Sequence, residues 1–105
     1  SQNQNQILAI KLSIHWSEKS TNDLRTIFDF YNSKSHAAAT TIVTEIIDQV
    51  ESIRFSKQFQ KDELNPKYRR LIVRHFKVLY RADEANIFVI RIFDTRQNPS
   101  VQSDF

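Results

Sequence analysis

The sequence predicts a two-layer α+β domain in which a helical hairpin packs on one face of a mainly antiparallel sheet, in the order β-α-α-β-β-β. Three observations predict it. An alternating segment comes first, two runs of helical period follow with a short link between them, and three strand-like segments close the chain in quick succession. A chain of 105 residues holds one such domain. The domain is expected over 9–99, with 1–8 a flexible lead-in and 100–105 a frayed tail.

The first strand is expected over 9–16, where Ile10, Leu12, Ile14 and Trp16 alternate with Lys11, Ser13 and His15. His15 falls on the polar side and reads as a surface residue. Ser17 follows directly and suits a helix N-cap. Leu24, Ile27, Phe28 and Tyr31 then recur at i, i+3, i+4 and i+7, which predicts an amphipathic helix ending near Ser33. Ser35 suits a second cap, before a stripe of Ala39, Ile42, Val43, Ile46, Val50 and Ile53. The short link between the two helices implies an antiparallel hairpin. Residues 55–66 show no consistent period and read as a loop, with Pro66 marking entry to the sheet. Strands are expected over 69–75, 76–81 and 87–94. The turn at 83–86 is clear, whereas the break near His75 and Phe76 lacks the Gly or Asn that would signal it.

Composition excludes several classes. The chain has no Cys, which removes disulfides, thiolate metal sites and cysteine nucleophiles, and which is compatible with a reducing cytoplasm. It has no Gly, so neither a Walker loop nor a dinucleotide fingerprint can form. No apolar run approaches the roughly 20 residues of a membrane span. Ser, His and Asp occur in no spacing that distinguishes a catalytic triad, and no residues sit at metal-ligand spacing.

Charge is distributed unevenly. Residues 1–56 carry five Lys and Arg against six acids, and residues 57–105 carry ten against six. Between Leu64 and Ala82 there are six cations and no acid. Such a field favours a polyanion or an acidic protein, although a cation cluster also reads as a solvated face paired with Asp83, Glu84 or Asp94.

Alternation sorts the closing strands into two faces. Leu71, Val73, Val78, Tyr80, Phe88, Ile90 and Ile92 form an apolar side assigned to the helices. The opposite side collects Arg70, Ile72, Arg74, Lys77, Leu79, Arg81, Val89, Arg91 and Phe93. That mixture of cations and apolar side chains is expected to face outward and to suit an acidic, amphipathic partner.

The string RRLIVRHFKVLYRADEANIFVIRIFDTRQNP, residues 69–99, resembles the C-terminal sheet of the RelE/ParE superfamily of bacterial toxins. The succession KVLYR, an acidic turn, IFVIRIF and DTRQNP is similar to the ParE-like subgroup in particular. The upstream strand and helical hairpin follow the family's order, so the resemblance covers 10–99. It implies a cytoplasmic toxin of a type II toxin–antitoxin module, active in growth inhibition and plasmid stabilisation. The implied partner is a cognate antitoxin that wraps the toxin with a helix and an extended segment. For a ParE-like member the implied target is DNA gyrase, and the alternative is the ribosome, where RelE-like members cleave messenger RNA. No membrane, metal or small-molecule cofactor is implied.

Carrying the nuclease residues over gives an incomplete set. Lys77 falls where RelE-like toxins place a sheet arginine against the scissile phosphate, and Arg70 and Arg74 lie near other sheet cations of the family. Arg81 and His75 complete the candidate set, with His75 its only candidate general base. The basic position after the last strand is occupied by Asp94 or Thr95, with Arg96 one step further on, and no tyrosine follows. The target- or antitoxin-binding surface implied comprises Arg70, Ile72, Arg74, Lys77, Leu79, Arg81, Val89, Arg91, Phe93 and Arg96. The gap in the acid–base set places binding ahead of catalysis.

Overall fold

A computed structural model describes residues 12–97 and Gln102. The expected segments before residue 12 and after Gln97, apart from Gln102, lie outside the described residues. The element order is β1 (Ser13–Trp16), α1 (Glu18–Asn32), α2 (His36–Glu51), β2 (Arg69–Val73), β3 (Phe76–Ala82) and β4 (Asn86–Asp94). The four strands form one sheet in the order β1-β4-β3-β2. The β1–β4 pair is parallel, and the other two pairs are antiparallel. This is the expected α+β architecture, with two helices packed against a mixed sheet.

Both predicted helix caps form. The Ser17 hydroxyl accepts from the Ser20 N–H at 3.0 Å, and the Ser35 hydroxyl accepts from the Ala38 N–H at 3.2 Å. Ser17 also ties the helix start to the sheet. Its N–H donates to the Val89 carbonyl and its hydroxyl donates to the Ile90 carbonyl at 2.8 Å. The α2 stripe supplies Ile42, Ile46 and Val50 to the core, while Leu24, Ile27 and Tyr31 of α1 are only partly buried against it. Leu71, Val73, Phe76, Val78, Tyr80, Ile87, Val89 and Ile92 complete the core from the sheet.

The turns explain how a chain without glycine makes two hairpins. Between β2 and β3 the pairing of Val73 with Phe76 leaves Arg74 and His75 as the loop. Arg74 adopts a φ of 56°, a conformation that a two-residue hairpin ordinarily gives to Gly or Asn. The turn therefore falls at Arg74–His75, which ends β2 before the expected His75. Between β3 and β4 the Asp83 carboxylate accepts from the Ala85 and Asn86 N–H groups at 2.8 and 2.7 Å. Those backbone bonds, chiefly that from Ala85, hold its carboxyl below the ordinary value.

The expected assignment of faces is corrected along β4. The β3–β4 register shifts between Leu79 and Tyr80: Leu79 pairs with Arg91, but Tyr80 pairs with Val89. A bulge of one residue inverts all that precede it on the strand. Ile87 and Val89 therefore face the helices and are buried, whereas Phe88 and Ile90 are only partly so.

Candidate functional site

The second face of the sheet was expected to be open, and over its middle it is not. Residues 60–62 turn back along the start of β2: the Arg70 N–H donates to the Gln60 carbonyl at 3.1 Å, and the Asp62 N–H donates to the Tyr68 carbonyl at 2.9 Å. This strap, residues 54–68, carries Asp62 to Lys77. The two side chains meet at 2.8 Å, with Asp62 1% and Lys77 4% exposed. Burial raises the Asp62 carboxyl, but the Lys77 hydrogen bond, the Asn65 backbone N–H and the Lys77 charge outweigh it and leave the group below its ordinary value of 3.8. Asp62 also accepts from the Leu64 and Asn65 N–H groups, so one carboxylate fixes both the strap's turn and the lysine. Gln102 closes over the same region, its carbonyl accepting from the Asn65 amide. Leu79 and Phe93, beside Lys77 in register, are buried as well.

Of the other candidate cations only Arg70 shares Asp62 with Lys77, and the rest are dispersed. Arg70 lies 3.9 Å from Asp62 and 4.0 Å from Glu63. Arg74, on the hairpin, pairs with Glu45 of α2 at 3.0 Å. Arg81 is exposed and lies over the Phe88 ring at 4.7 Å, and His15 stacks on the same ring at 5.0 Å. Arg91 turns to α1, where Asp23 binds it at 2.8 Å. Arg96 pairs with Asp94 at 2.8 Å. That bond is the main reason the Asp94 carboxyl sits low and the Arg96 guanidinium high. Val89 belongs to the core and Ile72 is exposed. The five residues of the candidate nuclease set thus do not converge on one point: Lys77 and Arg70 meet at Asp62, while His75 and Arg81 lie at opposite ends of β3.

His75 instead meets a residue that the sequence assigned only to packing. The Tyr31 hydroxyl and the His75 Nε2 are 3.0 Å apart, and the Thr95 N–H and hydroxyl both donate to the His75 carbonyl. Tyr31 and Arg96 also line a cleft of about 400 Å³ between α1 and the C-terminal half of β4. The cleft exists because β1 ends at Trp16, opposite Val89, while β4 runs on to Asp94. Past that point α1 covers the strand edge, and the Asp23 carboxylate accepts the Ile92 N–H at 2.8 Å. Phe30, 53% exposed, stands at the rim. The walls are aromatic and the charges, Asp23 with Arg91 and Asp94 with Arg96, are paired. The cleft suits an apolar side chain of a partner better than an anion. Among the described residues no cluster of three or more His, Cys, Asp or Glu is placed to hold a metal ion. No helix among them is long and apolar enough to cross a membrane.

The family described as "ParE toxin of type II toxin-antitoxin system, parDE" matches residues 14–99, most of the chain. The chain belongs to the ParE toxin family. Within the RelE/ParE superfamily this ParE membership fixes the subgroup that the closing strands resemble. A solved chain from the chromosomal ParDE TA system from P. aeruginosa is similar in fold, with a TM-score of 0.72 at 22% identity. The likeness covers 84% of this ParE-family chain and 100% of the other. No curated protein matches the sequence. The type II toxin assignment thus rests on the family match, with the shared fold beside it.

Proposed function

We propose that this chain is the growth-arresting half of a parDE-type module, held inactive by a cognate antitoxin and acting in the cytoplasm by binding and inhibiting DNA gyrase. The observation that carries the proposal is the ParE family match across residues 14–99. The geometry favours binding over catalysis on a separate ground. A ribonuclease needs a base, an acid and a phosphate-holding cation within reach of one scissile bond. Here Lys77 is occupied by Asp62, Arg74 by Glu45, and His75 by Tyr31. The aromatic cleft beside α1, whose charges are paired, suits protein recognition instead.

Induced expression in a host lacking the antitoxin tests the proposal. Growth should stop with chromosomal DNA damage signalling switched on, and co-expression of the adjacent antitoxin gene should restore it. Translated messages should remain intact by primer extension. Arrest accompanied by codon-phased message cleavage, abolished by Lys77→Ala at unchanged protein level, contradicts the proposal.

A further inference from the structure

Three exposed cations of the strap, Arg54, Lys57 and Lys61, contrast with Arg74 and Arg91, which Glu45 and Asp23 hold. Residues 54–74 carry seven Lys and Arg against two acids, Asp62 and Glu63. Asp62 is spent internally on Lys77, so the outward balance is more positive than that count. Among the described residues, Arg54, Lys57 and Lys61 form no ion pair. The same stretch holds three of the four large apolar side chains exposed among the described residues: Phe55 at 59%, Leu64 at 42% and Ile72 at 49%.

A depression of about 490 Å³ lies between strap and sheet. Gln58, Phe59 and Gln60 form one wall, and Arg70, Leu71 and Ile72 form the other. It opens because the strap pairs with β2 only as far as Arg70, whose N–H points away from β3 to the Gln60 carbonyl. Two residues on, Ile72 presents its own N–H and C=O in the same direction, towards the depression. Lys57 and Lys61 flank the first wall in sequence, and Arg70 lines the second.

We infer that this depression is a docking site for an acidic segment of the antitoxin, an inference that rests on the proposed toxin–antitoxin reading. An apolar side chain of that segment would sit beside Ile72, with flanking carboxylates against Arg54, Lys57 and Lys61. The unpaired cations supply the charge complementarity. The interleaved Phe55, Leu64 and Ile72 separate this surface from a nucleic-acid groove, where phosphate contacts dominate and exposed aliphatic side chains contribute little.

The test measures binding kinetics between the full chain and the purified product of the adjacent antitoxin gene, across a salt series. Thermal melting first checks that the exposed substitutions leave the fold intact. Lys57→Glu/Lys61→Glu should slow association about tenfold and flatten its salt dependence. Ile72→Ser should speed dissociation about tenfold, through loss of a buried aliphatic contact. An antitoxin that binds wild type and both variants alike overturns the docking site and leaves the toxin–antitoxin reading standing. An antitoxin that fails to bind the wild-type chain at any salt overturns both.

Discussion

At the scale of single residues, the pair Lys77–Asp62 decides most. A lysine in a run of surface-type cations was expected to face outward, because nothing local marks it for burial. Its partner lies fifteen residues earlier, in a segment with no periodicity, so the pairing could not be read from the sequence. A buried charge left alone costs far more than the pair contributes. Lys77→Met should therefore cost about 3 kcal/mol in denaturant unfolding, and Lys77→Met combined with Asp62→Asn should cost clearly less. The pH dependence follows the same pair. The Asp62 carboxyl is lower folded than its ordinary 3.8, so its contribution is present above that value and is lost as pH falls below it. The double variant should lose less stability than wild type between about pH 4 and pH 2, measured by unfolding at each pH. Arg74 gives a second prediction. Its φ of 56° strains a non-glycine residue, and its ion pair with Glu45 is exposed. Arg74→Gly should leave stability unchanged or higher, whereas Arg74→Val should lower it by about 1–2 kcal/mol in the same assay.

At the scale of elements, both helices and the order of the strands were legible. Ser17 and Ser35 cap where their positions indicated, and the stripe Ile42, Ile46 and Val50 points into the core. The face of β4 was not legible. The bulge opposite Leu79 and Tyr80 carries no glycine to announce it, and one inserted residue exchanges Phe88 and Ile90 for Ile87 and Val89. The docking of α1 was equally hidden. Nothing local in the sequence ties Asp23 to the sheet, yet its carboxylate binds both Arg91 and the Ile92 N–H. That contact satisfies the edge of β4 where β1 has ended. Asp23→Ala should lower stability by about 2 kcal/mol, the cost of removing a charge-assisted bond from a part-buried amide. Hydrogen exchange at the Ile92 amide should quicken well beyond that of Val78 in the sheet centre.

At the scale of the whole molecule, the chain separates what stabilises it from what it offers a partner. The middle of the second sheet face, with Lys77, Leu79 and Phe93, is closed by the strap and Gln102. What remains outward is the strap with its unpaired cations, the stacked His15, Phe88 and Arg81, and the aromatic cleft beside α1. The basic character of the C-terminal half was visible in the charge count, but its location was not. Several of the cations expected on an open sheet are held by Asp62, Glu45 and Asp23, while among the described residues Arg81 and the strap's Arg54, Lys57 and Lys61 form no ion pair. These outward surfaces are what the proposed binding mode requires of the molecule. The direct test is a supercoiling assay with purified gyrase and the purified chain. Loss of supercoiling with rising chain concentration, accompanied by accumulation of gyrase–DNA cleavage complexes and relieved by antitoxin, is the predicted result. Full supercoiling at a large molar excess of folded chain would contradict it.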